Sequence, residues 1–124
     1  MKKIYISTLC LLAMAGCSNV NNKANVSASD IKSAVCSNQN LAGGWAQSKL
    51  NSESKEALNF ALKSVGIDPS LVKVLSVRSQ VVNGMNYAID FKDQNDEIYH
   101  AVVYRSLKGK MNLNQPVQQG KICP

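Results

Sequence analysis

Few side chains here could do covalent or acid–base chemistry: one His, four Cys and a short acidic run in a chain of 124 residues. His100 alternates with Ile98 and Val102, a period of two that places it on a strand face as a half-buried structural residue. A Cys–His or Ser–His pair needs a thiol or hydroxyl held beside the ring, and the cysteines are expected to be committed elsewhere. Asp90, Asp93, Asp96 and Glu97 straddle a turn without the ligand spacing of a calcium loop, so they read as a solvated turn. No Cys-x-x-Cys occurs. Gly43-Gly44 lacks the flanking strand, helix and Lys of a phosphate loop. The expectation is no cofactor, no metal site and no enzymatic activity. Two backbone features stand out instead: the glycine pair, and Gln80-Val81-Val82-Asn83-Gly84 between two strand-like runs, where Asn83-Gly84 signals a hairpin.

The N-terminus reads as an address. Lys2 and Lys3 precede twelve residues, Ile4 to Ala15, that are apolar apart from Ser7 and Thr8. That is too short for a bilayer span, which needs about 20 apolar residues, and suits a secretory signal. Met14-Ala15-Gly16-Cys17 resembles the lipobox of bacterial lipoproteins, with Met14 where Leu is usual. The resemblance implies lipidation at Cys17 and removal of residues 1–16. A plain signal peptide cut near Gly16, with Cys17 a spare thiol, is the alternative. Ser18 resembles an outer-membrane sorting residue, which implies an outer-membrane lipoprotein, periplasmic or surface-exposed. Two or more acyl chains would anchor it firmly to the membrane.

Losing residues 1–16 removes Lys2 and Lys3 and no acid, lowering the formal charge from +6 to +4. The remaining bases are dispersed without a run or aromatic interleaving, which argues against a nucleic-acid partner. Cys10 leaves with the signal. Cys36 and Cys123 are then the remaining pair, with one connectivity, in an oxidising compartment. A bridge would close a loop of 87 residues, for which the chain-entropy model gives about 4–5 kcal/mol; two buried free thiols are the other possibility.

The positioning elements follow from periodicity. Residues 18–30 are polar and read as a flexible tether, and the domain organisation is signal 1–16, lipidated Cys and tether 17–35, folded domain 36–124. Asn51 or Ser52 caps a helix that Gly66 ends, with Leu58, Ala61, Leu62 and Val65 as its buried stripe. Leu71 to Val82 reads as a strand. Met85, Tyr87, Ile89 and Phe91 alternate with Asn86, Ala88, Asp90 and Lys92, a strand with one buried face. A turn at 93–96, a strand from Ile98 to Tyr104 and a short strand Met111 to Leu113 follow. Together they predict an α+β domain, one long helix packed on a four- to five-stranded antiparallel sheet.

The order of these features resembles the cystatins, protein inhibitors of papain-like cysteine peptidases. Leu41-Ala42-Gly43-Gly44 resembles the family's N-terminal glycine segment, and Glu56 to Leu62 its long helix. Gln80-Val81-Val82-Asn83-Gly84 matches the Gln-x-Val-x-Gly hairpin, Met85 to Phe91 resembles the next strand, and Lys108 to Leu113 the stretch after the second hairpin. The resemblance implies a three-part wedge that fills the cleft of a papain-like peptidase as a reversible competitive inhibitor. Residues before Gly43 would take the non-primed side, Gly43 would turn the chain away from the catalytic thiol, and the 80–84 hairpin would insert at the centre. Ser106-Leu107 stands where many cystatins carry Pro-Trp, which predicts altered binding on the primed side. Cys36 and Cys123 do not match the paired bridges of secreted animal cystatins. Gly66-Ile67-Asp68 offers no match to a second peptidase site built on an Asn. Trp45 is expected near the helix. A cystatin-fold binding module without inhibitory activity is the alternative.

Overall fold

The structure, a computed structural model, describes residues 27–37 and 42–124. The expected signal segment, Cys17 and Leu41 lie outside the described residues. Five strands, β1 (Trp45–Ser48), β2 (Lys73–Val82), β3 (Gly84–Lys92), β4 (Ile98–Arg105) and β5 (Met111–Gln119), form one antiparallel sheet in sequence order. Helix α1 (Ala28–Val35) precedes β1, and α2 (Ser52–Val65) links β1 to β2 through a short 3₁₀ turn, Pro69–Leu71. Among the described residues no helix is long and apolar enough to cross a membrane.

Local chemistry sets the bounds of α2. Asn51 accepts from the Ser54 N–H at 2.8 Å while the Ser54 hydroxyl accepts from the Asn51 N–H at 2.8 Å, a reciprocal cap that satisfies two otherwise orphaned donors. Gly66 ends the helix at φ +70, and the Ile67 N–H donates back to the Leu62 carbonyl at 3.0 Å. This turn folds Ile67 onto the core and leaves Val65 47% exposed. The expected stripe therefore holds at Leu58, Ala61 and Leu62, with Ala57 added, and fails at Val65.

Beneath α2 lies the main core: Val77, Tyr87, Ile89, Phe91, Ala101 and Val103 from the sheet, sealed by Ala57, Leu58, Ala61 and Leu62. Full burial of side chains such as Leu62, Ile89 and Phe91 stabilises by about 1.5–3 kcal/mol each. Phe91 stacks on Tyr99 across the β3–β4 pair with ring centroids 5.9 Å apart.

The opposite face corrects several sequence expectations. Residues 28–35, assigned to the tether, form α1, whose Val35 is fully buried. Ser27 caps it and the Arg78 guanidinium donates to its last carbonyl, that of Val35, at 3.1 Å. The sheet is buried on both faces rather than one: Ala88 and Val102 pack with Val35, Trp45 and Ile122. Trp45 belongs to this second cluster and not to the α2 core. Another concerns β5, which runs to Gln119 and not Leu113. Its Pro116 is tolerated because β5 is an edge strand, and the register shifts where the β4 pairing passes it, between Gln118 and Gln115. A disulfide, Cys36–Cys123, joins α1 to the C-terminus. Asp90, read with the acidic run as part of a solvated turn, lies instead within β3 and is buried, accepting from the Ile122 N–H at 3.0 Å and from the Ser76 hydroxyl at 2.9 Å. His100 is the structural residue expected, buried with Nδ1 2.8 Å from the Gly120 carbonyl.

Candidate functional site

Antiparallel pairing brings three chain segments to one end of the sheet. Trp45 pairs with Gln80, Val82 with Gly84, Met85 with Arg105 and Arg105 with Met111, so the glycine segment, the β2–β3 hairpin and the β4–β5 hairpin lie side by side. The sheet thus assembles Gly43, Val82 and Leu107, which lie 25 to 64 positions apart in sequence.

The first hairpin is tight. Gly84 is buried at φ +116, and a Cβ there would overlap the Arg105 carbonyl oxygen and crowd the Tyr104 ring. The Tyr104 hydroxyl donates to the Asn83 carbonyl, holding the tip down on β4. Val81 and Val82 remain 67% and 41% exposed at that tip. Apolar surface on a pinned turn loses little conformational entropy when a partner covers it.

Gly43 sits at φ +75 with open space where a Cβ would be, so the constraint on it is conformational and not one of contact. The Gln80 amide donates to the Gly43 carbonyl at 2.9 Å. The same Gln80 accepts from Asn86 at 2.9 Å, and Asn86 accepts from Asn114 at 3.2 Å. An amide chain therefore runs from β5 across the sheet to the glycine segment and fixes where residues 42–44 leave the domain. Ala42 is exposed and Gly44 half-buried.

The second hairpin turns through Ser106-Leu107-Lys108-Gly109, closed by the Gly109 N–H on the Ser106 carbonyl at 2.9 Å, with Gly109 at φ +83. The Ser106 hydroxyl is turned inward, accepting from the Lys110 N–H at 3.0 Å. Leu107 alone projects, 78% exposed. Of the expected pair Ser106-Leu107, one residue builds the turn and the other offers apolar surface.

Arg105 ties this hairpin to α2, 3.7 Å from Glu53 and 3.9 Å from Glu56. Glu53 also accepts from the Tyr87 hydroxyl at 3.1 Å. Burial, and then the Glu53 bond and charge, raise the Tyr87 pKa above its usual value near 10. Beside the first hairpin, on the α1 side, a groove of about 730 Å³ is lined by Trp45, Gln80, Val82, Asn86, Tyr104 and Asn114, among others.

The structure thus gathers Ala42, Gly43, Gly44, Gln80, Val81, Val82, Asn83, Gly84, Ser106 and Leu107 at one edge. The residues that brace this edge, Asn86, Tyr104, Arg105 and Asn114, were missed in the sequence. Asn86 sits at a polar position of an alternating strand, which reads as solvent-facing; its only signal is an amide next to a hairpin.

A helix laid across a five-stranded antiparallel sheet, with a glycine bend and two hairpin tips at one end, defines an α+β domain that presents a three-part edge. A family model of the Cystatin domain matches residues 43–120, more than half of the chain. The chain is also 42% identical over 59 residues to Cystatin-A3 of Dictyostelium discoideum, covering 48% of this chain and 61% of that protein, less than two thirds of its length. The chain belongs to the cystatin family, whose members bind and inhibit cysteine peptidases and are not enzymes.

Proposed function

We propose that this chain is a reversible competitive inhibitor of papain-like cysteine peptidases, held at a bacterial cell envelope by lipid on Cys17. The observation that carries the inhibitory reading is the shared edge: exposed Val81, Val82 and Leu107 on two pinned hairpins, beside a glycine segment tied to Gln80. In this reading residues 41–44 occupy the non-primed side, Gln80 to Gly84 the centre, and Leu107 the primed side. The bend at Gly43 keeps the backbone away from the catalytic thiol, so no peptide bond is offered for cleavage. The anchoring reading rests on the sequence Ala15-Gly16-Cys17, and its test is a Cys17→Ser variant, expected to leave the detergent phase; unchanged partitioning contradicts a lipoprotein.

Replacing Gly43 with Trp and Val82 with Asp tests the wedge. Both sites are exposed and Gly43 lies outside the helices and strands, so thermal melts should show folded protein, with a small loss for Gly43→Trp from the strain of a side chain at φ +75. Inhibition constants should rise for both, more for Val82→Asp, where a charge enters a desolvated contact at a cost of a few kcal/mol. Two folded variants that inhibit as well as the parent chain contradict the wedge. The replacement of Pro-Trp by Ser106-Leu107 favours a second reading, a binding module of the outer membrane or periplasm that keeps the fold and lacks inhibition. Leu107→Trp separates the two: restored affinity places the second hairpin on a peptidase.

A further inference from the structure

The second hairpin compensates in charge for what it lacks in apolar surface. Its turn carries Leu107 between the inward-turned Ser106 and two lysines, Lys108 and Lys110, both exposed. Among the described residues the ion pairs are Lys92–Asp96, Arg105–Glu53 and Arg105–Glu56, so the charge of Arg105 is answered from α2 while those of Lys108 and Lys110 are not. The three edge segments, 42–45, 80–85 and 105–111, contain no Asp or Glu. Asp30 of α1 borders the groove beside the first hairpin, where it accepts from the Ser27 hydroxyl. The opposite end of the sheet is mixed in charge: Asp68, Asp93, Asp96 and Glu97 lie there with Lys73 and Lys92. Within the three edge segments the charge is all positive, and Lys108 and Lys110 carry the part of it that no ion pair answers.

We infer that the partner of this edge is a papain-like peptidase whose primed-side rim is lined with carboxylates. The inference rests on the inhibitor reading above. A single exposed Leu supplies a smaller apolar anchor than a Trp. Two lysines facing carboxylates supply orientation and a faster encounter instead, because complementary potentials raise association rates about 10- to 1,000-fold over neutral pairs. They also exclude the wrong target: a rim bearing Lys or Arg meets like charge. Screening sets the range, with a Debye length of about 8 Å at physiological salt, so only a rim in direct apposition is sensed in full.

The test uses the full chain with its disulfide, a Lys108→Glu/Lys110→Glu variant, and two papain-like peptidases of known structure, one with an acidic and one with a basic primed rim. Association and dissociation rates are measured at about 0.01 M and about 0.15 M salt, where the Debye length falls from about 30 Å to about 8 Å. The parent chain should associate faster with the acidic-rim enzyme and slow steeply with salt. The variant should lose about tenfold or more in association rate on that enzyme at low salt, gain on the basic-rim enzyme, and change little in dissociation rate. A Lys108→Gln/Lys110→Gln variant should fall between. Association rates indifferent to salt and to charge reversal, with inhibition intact, overturn this inference and leave the inhibitor reading standing. A parent chain that inhibits neither enzyme overturns both.

Discussion

The sheet is buried on its two faces by different means. Under α2 the means is mainly apolar area: four helix residues pack on six sheet residues, and the polar links, Tyr87 to Glu53 and Arg105 to Glu53 and Glu56, lie at the N-terminal end of that helix. Under α1 only five residues form the cluster, and the rest is fastening: a disulfide, the Asp90 carboxylate on the Ile122 N–H, the Arg78 guanidinium on α1 and His100 on Gly120. A short helix of eight residues cannot hold itself in place. A covalent tie and buried, partnered polar groups do that work where apolar area is small.

Four changes sharpen or break this contrast. The largest effect is expected from Cys36→Ser/Cys123→Ser, which opens an 87-residue loop and should cost at most about 4–5 kcal/mol by chain entropy. Denaturant unfolding measures it. Hydrogen exchange should show α1 and residues 120–124 opening while α2 stays protected. Equal loss of protection in α2 would mean the two faces form one cooperative unit. Next comes Leu62→Ala, which leaves a cavity in the α2 core and should cost about 3 kcal/mol. It should lower global stability without exposing α1 selectively.

Asp90→Ala should cost about 1–3 kcal/mol, because it strands the buried Ile122 N–H. Protection should fall at Ile122 first. The smallest change is Tyr87→Phe. Its folded pKa is raised, so the neutral phenol is favoured in the fold. That contribution is complete below the unfolded value near 10 and is lost as pH climbs through the higher folded value. Stability of the parent chain should decline above pH 10, and the Phe variant should decline less steeply. Identical alkaline limbs would remove Tyr87 from the account.

The same contrast explains what could be read in the sequence. The α2 face was legible because its residues follow two clear periods: three to four along Leu58, Ala61 and Leu62, and two along Met85, Tyr87, Ile89 and Phe91. The hairpin at Asn83-Gly84 was legible from turn chemistry, and the Cys36–Cys123 pairing from elimination. The α1 face was not, since Val35, Trp45 and Ile122 come from distant short segments with no shared period. Asp90 and Asn86 read as solvent-facing because a period-two pattern cannot tell a wet face from one covered by a remote segment. β5 was expected only to Leu113; beyond it Pro116 breaks the ladder, and only the edge position lets the strand continue to Gln119. At the candidate site, Asn83-Gly84 was legible from turn chemistry, and Gly43, Gln80 and Ser106-Leu107 through the resemblance to cystatins. Their braces, Tyr104, Arg105 and Asn114, were not, because each acts through a partner on another element: the Asn83 turn, Glu53 and Glu56 of α2, and Asn86 of β3.

In the proposed wedge the glycine segment and both hairpin tips act as one inhibitory edge. The most direct measurement is a titration of active papain with the folded, disulfide-bonded chain, read as residual hydrolysis of a small fluorogenic peptide. The account predicts a fall in activity that ends at one chain per enzyme, recovery on dilution, and relief by excess substrate. Full papain activity at a tenfold excess of chain, repeated across acidic-rim and basic-rim members of the peptidase family, would contradict it.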